Sequence, residues 1–332
     1  MRKDIYQIGF LIFDGFPMAC LTSMIEPLRA ANEISDTKNF NWVLVSEGPK
    51  RVEASANVAF ETDFNIETVG QLDALVLLSP PTANFSNKRS EGILRKLERH
   101  GCTIGAVSGG VFLLAKASVG LNNPYSVHWC YAEAFKNQFP DVVSSEQVIE
   151  TSNNIITASG AAAAFDLALM LINARLGLAV RAEVACWFQH PIMRDQDVKQ
   201  IMPTVNHYEA SENTPQIANR AIKMVKNRLN DPFSITDIAL ELGITPRHLT
   251  RVFSDTYGQS PSKYFRMIRM DAARQMVLYT NQRIGEIALA VGYTNSTNLR
   301  KHYIELFAIS PEEEREKINL FRVSGNSPIP TS

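Results

Sequence analysis

Ser108 is the residue whose setting most suggests chemistry. It stands in Ile104-Gly105-Ala106-Val107-Ser108-Gly109-Gly110, an apolar run that passes through small residues straight into the helical stretch Val111 to Ala117. Where a strand becomes a helix this abruptly, one side chain is thrust above the sheet beside the positive helix end. Its neighbours must be small for the backbone to turn. The amides of Gly109 and Gly110 would face an anionic group, and Glu26 would attract a cationic head. His128-Trp129, twenty residues beyond the elbow, would add an imidazole and an aromatic wall.

Two chemistries fit this set. In one, His128 takes the Ser108 proton and the chain is a hydrolase or amidase. A serine hydroxyl needs a strong, oriented base and an oxyanion hole, and the sequence supplies no complete triad. Cys102 cannot stand in, because it begins the strand, about 20 Å of extended chain from the turn. The favoured expectation is therefore a pocket that binds a small metabolite on Glu26, Ser108, Gly109, Gly110, His128 and Trp129, with no catalytic residues. The Ser108-dependent hydrolase is the alternative. Cys20, Cys102, Cys130 and Cys186 lack C-x-x-C spacing and the six histidines form no H-x-x-x-H pair, so no metal site and no cofactor are expected.

A different chemistry is written twice near the carboxyl end. IALELGITPRHLTRVFSDTYGQSP, from Ile238, is answered by IALAVGYTNSTNLRKHYIELFAISP, from Ile287. In each, an Ile-Ala-Leu helix meets a glycine (Gly243; Gly292), and a second helix opens at a capping residue (Thr245; Asn295). Glycine takes positive φ readily, which lets the chain reverse within about three residues, and Pro246 follows its cap where proline is best tolerated. Leu249, Val252 and Phe253 then face inward, leaving Arg247, His248, Thr250 and Arg251 outward. In the second copy Leu299, Tyr303 and Phe307 take the inner stripe, leaving Ser296, Thr297, Arg300 and Lys301 outside. These are two helix-turn-helix units with outward residues suited to double-stranded DNA. Arg251 and Lys301 are expected on base edges, with Arg247, Thr250, Ser296 and Thr297 as secondary readers and Arg300 on phosphate. One long helix, Pro261 to Tyr279, would set the two reading helices about 34 Å apart, in successive major grooves.

The elements that position the first set alternate. Strands are expected at Ile5–Phe13, Trp42–Ser46, Ala74–Leu78, Thr103–Val107 and Ile155–Ala158, and helices at Met18–Ile34, Asn87–His100, Gly110–Ser118 and Ala161–Leu176. This is an α/β pattern, a doubly wound, mainly parallel sheet, followed by an all-α part holding the two helix-turn-helix units. Ligands in such sheets lie beyond the carboxyl ends of the strands. Expected boundaries are 1–200 for the sensor-like domain, 201–216 for a linker rich in Pro, Asn, Glu and Thr, 217–318 for the helical domain and 319–332 for a tail.

Charge divides along the same line. The chain carries 33 Lys+Arg and 34 Asp+Glu over 332 residues, a balance that excludes a general nucleic-acid coat. From Ile217 onward, however, 16 basic residues face 11 acidic ones, and everything before is net acidic, 17 against 23. The basic excess sits with the reading helices, as counterion release on phosphate requires. No stretch is expected to cross a membrane; Ile8 to Phe13 is short and ends at Asp14-Gly15, which suits a buried strand in a cytoplasmic protein.

Two resemblances sharpen these expectations. From Ile217 to Arg315 the chain resembles the AraC/XylS family of transcription regulators, carried by both units and by Gly258, Ser260, Pro261, Tyr264, Arg269 and Ala273 between them. It departs from the usual pattern at Leu299 (Phe), Lys301 (Arg) and Ala308 (Gly); Lys301 offers a point charge where Arg offers a bidentate fork. From Ile5 to Arg194 the elbow, Glu26, His128-Trp129 and Ser159-Gly160 with Asp166 resemble the class I glutamine amidotransferase-like superfamily, in its PfpI-type branch, with a flavodoxin-like fold. That superfamily usually has Cys at the elbow, so Ser108 argues for a non-catalytic site. Glu26-Pro27-Leu28-Arg29-Ala30-Ala31-Asn32 and Trp187-Phe188-Gln189-His190-Pro191 are similar to the GlxA-like subgroup, which joins both parts. The resemblance implies a homodimeric regulator, an activator, that binds promoter DNA and works with RNA polymerase. It implies an effector such as an amino acid or quaternary amine. The helix from Ala179 to Gln189 is a candidate dimer contact.

Overall fold

The computed structural model describes residues 5–190, 198–200, 215–231, 234–280 and 282–319, which form two compact units on either side of residues 201–214. Most of the expected linker, 201–216, and all but the first residue of the expected tail, 319–332, lie outside the described residues.

The first unit is built on a seven-stranded sheet. Its strands are β1 (Tyr6–Ile12), β2 (Phe40–Ser46), β3 (Phe64–Asn65), β4 (Ala74–Ser79), β5 (Thr103–Ser108), β6 (Ile149–Ser152) and β7 (Ile155–Ala158), lying in the order β6-β7-β5-β4-β1-β2-β3. All neighbours pair in parallel except the edge hairpin β6–β7. Around it run α1 (Met18–Ile34), α2 (Lys88–Arg99), α3 (Gly110–Lys116), α4 (Ala132–Gln138), α5 (Ala161–Leu176) and α6 (Leu178–Trp187).

Strand periodicity distributes side chains to two cores. Ile8, Phe10, Ile12, Val76 and Leu78 face one layer with residues of α1, α5 and α6, while Leu11, Leu75, Leu77, Ile104 and Ala106 face the other with residues of α2, α3 and α4. Both faces are therefore covered, which is why the central strands read as continuous apolar runs. Chain order reverses at β1, with β2 on one side and β4 on the other. The crevice at such a reversal, beyond the strand carboxyl ends, is where α/β sheets bind ligands.

The five expected strands and four expected helices form within one or two residues of their expected bounds. Those not anticipated are short: β3, β6, α4, and the two-stranded ribbons Arg51–Glu53 with Ala59–Glu61 and Tyr125–Ser126 with Ser144–Ser145. Such elements hold too few residues for periodicity to show.

The second unit consists of α7 (Gln216–Asn227), α8 (Ile235–Glu241), α9 (Pro246–Tyr257), α10 (Pro261–Tyr279), α11 (Ile284–Ala290), α12 (Ser296–Phe307) and α13 (Pro311–Asn319). Helix α7 thus begins one residue earlier than the boundary expected for this domain. Leu249 and Phe253 of α9, Tyr264 and Ala273 of α10, and Leu299 and Tyr303 of α12 are fully buried in one core. The edge-to-face stack of Phe253 with Tyr264 and Phe265 fixes how α9 crosses α10.

Candidate functional site

The turn after β5 has the strained geometry its small residues suggested. Ser108 takes φ 56°, a left-handed conformation that a side chain adopts only under constraint. The two glycines behind it are obligatory. A Cβ on Gly109 would lie 2.3 Å from the Ser79 carbonyl oxygen, and one on Gly110 would lie 2.3 Å from that of Leu77. β5 therefore leaves the sheet pressed against the end of β4, and Ser108 is carried in register with Ser79.

The Ser108 hydroxyl, mostly buried, shares a hydrogen bond with Tyr131, whose own acidity is suppressed chiefly by burial. Ser79 is fully buried beside it and its hydroxyl has no hydrogen-bond partner among the described residues. Neither Tyr131 nor Ser79 was anticipated from sequence. Tyr131 follows His128 by three residues in a single 3-10 turn, and Ser79 closes β4 ahead of Pro80-Pro81. A serine at the carboxyl end of the strand beside the elbow was the available signal for Ser79.

His128 caps that 3-10 turn. Its Nδ1 meets Cys130 Sγ at 2.9 Å, and burial lowers its pKa, so the ring is neutral at neutral pH. Burial also pushes the Cys130 thiol up to about 12. Trp129 packs beside the His128 ring, centroids 5.4 Å apart, and its amide donates to the Gln200 side chain at 2.9 Å. Gly160 closes in on the same imidazole: a Cβ there would sit 3.3 Å from His128 Cδ2. The structure thus gathers Ser108, Gly109, Gly110 and Tyr131 at the elbow and seats His128 and Trp129 in the turn that also carries Tyr131. Glu26 is engaged elsewhere. Its carboxylate accepts from Arg29 Nε at 2.9 Å on the half-exposed face of α1, in a chain of charges that continues to Glu33.

A further pair went unremarked in the sequence. His190 Nε2 meets Asp166 Oδ1 at 2.9 Å, and Asp166 is almost wholly buried on α5. The Phe165 ring packs on His190, centroids 4.8 Å apart, and edge-on against Phe188, so the pair ties the chain just after α6 to α5. Twenty-four residues separate the partners, so no local pattern announces them.

In the second unit the two helix-turn-helix units repeat at the level of hydrogen bonds. Thr245 caps α9 by accepting from the His248 amide, and Asn295 caps α12 by accepting from that of Asn298. Gly243 and Gly292 take φ 70° and 78° in the turns. Gly292 has a second constraint, since a Cβ would meet the Leu229 carbonyl oxygen at 2.5 Å. On α9, Arg247, Thr250 and Arg251 are exposed and His248 is partly so. Arg251 Nη2 donates to His248 Nδ1 at 3.1 Å, and Thr250 turns its hydroxyl back to the Pro246 carbonyl. On α12, Thr297 and Lys301 are exposed. Arg300 lies along the helix between Ser296 Oγ, at 2.9 Å, and Glu312 of α13, at 2.7 Å.

Comparison with known proteins agrees with this division. The DJ-1/PfpI family matches residues 7–174, and a helix-turn-helix domain matches residues 218–317. Several curated relatives align over nearly the whole chain, and two of them illustrate the match. One is the HTH-type transcriptional regulator GbdR of Pseudomonas aeruginosa, 28% identical over 99% of this chain and 89% of its own length. The other is the HTH-type transcriptional regulator GlxA of Rhizobium meliloti, 27% identical over 95% and 97%. Among solved structures, an AraC family transcriptional regulator from Pseudomonas putida superposes with a TM-score of 0.50 at 20% identity, covering 55% of this chain and 99% of that one. That overlap supports the fold. With a matching family over half its length and the elbow that the fold demands, the chain belongs to the DJ-1/PfpI family and carries a helix-turn-helix domain behind it.

Proposed function

We propose that this chain is a sequence-specific DNA-binding transcription regulator whose DJ-1/PfpI unit receives a small metabolite rather than transforming one. The observation that carries the reading is the repeated reading helix. α9 and α12 present exposed basic and polar residues from matching positions, behind matching side-chain caps, on either side of the nineteen-residue α10. Full-length relatives named as transcriptional regulators support the same conclusion. Arg247, His248, Thr250 and Arg251 would meet one major groove and Ser296, Thr297, Arg300 and Lys301 the next, with Arg251 and Lys301 on base edges.

The effector would lie at the elbow, against Ser108, Gly109, Gly110, His128 and Trp129, with the unpartnered Ser79 hydroxyl and Tyr131 added to that set. Glu26 would join only by leaving Arg29. An amino acid or quaternary amine remains our candidate class. The hydrolase alternative gains little, because the groups it needs are spent elsewhere: Ser108 pairs with Tyr131, and His128 Nδ1 with Cys130. We further propose a cytoplasmic homodimer through the acidic unit, acting on RNA polymerase as an activator. Binding of the effector must favour one arrangement of the chain over another for any signal to pass.

In vitro selection from a random duplex library tests the reading without knowledge of the target. Two short conserved blocks about one helical turn apart are expected for each subunit. Recovery of no enriched sequence, or of a single block, would overturn the two-groove assignment.

A further inference from the structure

We propose that Glu312, on α13 and off the reading surface, sets the charge that the second reading helix brings to DNA, so that the two helix-turn-helix units grip the duplex unequally. The inference rests on the DNA-binding reading above and deepens it. Arg300 Nε and Nη2 both reach Glu312 Oε1 at 2.7 Å, and Nη1 donates to Ser296 Oγ at 2.9 Å. One carboxylate therefore balances the guanidinium while its fork is held along the helix. The two side chains are 41% and 44% exposed, so the pair adds little to folding. Its effect is on charge. Salt-dependent affinity follows the number of phosphates a surface neutralises, and a cation matched by its own carboxylate releases no counterion.

The first unit has no such device. Aligning the caps Thr245 and Asn295 shifts every position by 50 residues and pairs Gly258 with Ala308, Ser260 with Ser310 and Pro261 with Pro311. Under that shift Ser296, Arg300 and Glu312 fall on Pro246, Thr250 and Ser262, and Glu313 falls on Lys263. Arg247, Arg251 and Lys263 are exposed with no carboxylate partner among the described residues. The first unit thus offers Arg247, Arg251 and Lys263 without a carboxylate, whereas the second offers Lys301, with Arg266 near its His302, beside a flank of Glu312 and Glu313. The first unit supplies most of the electrostatic hold. The second reads with Arg300 aimed but discharged, contributing discrimination more than affinity.

The test uses the full chain and a duplex obtained by selection with the wild type, titrated over a series of salt concentrations. Glu312→Gln frees Arg300 for phosphate. The slope of log affinity against log salt should steepen by about 0.9, a further three- to fourfold loss of affinity between about 50 and 200 mM salt. Discrimination against mismatches in the block read by α12 should relax. Arg300→Ala alone should leave the slope nearly unchanged, and in the Glu312→Gln background it should abolish the increase. Glu312→Asp, which retains the charge and the helix start, should behave as wild type, while Arg247→Ala should lower the slope by about 0.9. An unaltered slope in a helical, folded Glu312→Gln chain would overturn the inference and leave the proposed function standing. So would a loss of about 0.9 in slope from Arg300→Ala alone. A wild-type chain that bound no duplex would remove both.

Discussion

Ala308 ends α12 at φ 56°, ψ 22°, a left-handed C-cap that its counterpart Gly258 adopts at φ 67°, ψ 15°. An L side chain in that conformation costs on the order of 1–2 kcal/mol. Replacing it with glycine removes that strain but gives the unfolded chain more freedom, which costs about 0.4–1 kcal/mol. Ala308 is exposed, so its methyl group contributes little packing. Ala308→Gly should therefore stabilise the helical unit by roughly 0.5–1 kcal/mol, raising its melting midpoint by about 2–8 °C for a domain of this size. Gly258→Ala is the reciprocal control. A Cβ there meets no atom within 4 Å, so any loss is purely backbone strain. Trp42, Trp129 and Trp187 all lie in the first unit, so tryptophan fluorescence follows that unit alone, and the transition seen by far-UV circular dichroism or calorimetry but not by fluorescence belongs to the second. An Ala308→Gly chain whose helical transition is unmoved or lowered, while Gly258→Ala melts earlier, would refute the strain argument.

Gly110→Ala drives a methyl group to 2.3 Å from the Leu77 carbonyl, and the first unit should lose more than about 3 kcal/mol, seen as an early fluorescence transition or insolubility. The Asp271 carboxyl is pushed up to about 6 by burial, against the pull of Arg274 and Lys226, and its Oδ2 has no partner among the described residues. Its folded-state pKa exceeds the unfolded one, so its contribution to stability is lost as pH rises from 3.8 to about 6 and stays lost at neutral pH. Asp271→Asn should then raise the helical unit's stability at pH 7 by on the order of 1–3 kcal/mol and flatten that pH window; equal loss with pH in both chains would contradict it. Arg251→Ala should weaken the selected duplex by about 1–3 kcal/mol at one base position, and uniform weakening across sequences would instead place Arg251 on phosphate. A serine-directed acyl or phosphonate probe should leave Ser108 unlabelled in the native chain; a stoichiometric adduct would revive the hydrolase reading.

What the sequence disclosed and what it hid differ by range. Central strands such as β4 are buried on both faces, so their apolar runs are visible in the residues themselves, as are helices such as α10 that open on Ser260-Pro261. The elbow was legible because Gly109 and Gly110 satisfy a steric demand that few other sequences would meet. Tyr131, Ser79 and the Asp166–His190 pair were not, since each acquires its role from a partner brought close only by the sheet and the helices packed on it. Glu26 was offered to the pocket on its residue type; its pairing with Arg29, one turn away on the same helix, is a matter of side-chain geometry that the sequence leaves open. Arg300 was assigned by its helix face alone, which cannot reveal a carboxylate arriving from α13 twelve residues later.

The nineteen residues of α10 form one unbroken helix that packs against α7, α9, α11, α12 and α13. At 1.5 Å per residue it is a rod of about 28 Å, stiff on the scale of a base pair. On DNA such a strut fixes phase as well as distance. Adding one base pair between the two contacted blocks would displace the second by about 3.4 Å and swing it by about a tenth of a turn, a mismatch the protein could meet only by bending the duplex. Operators for this chain should therefore tolerate substitutions between the blocks far better than insertions or deletions.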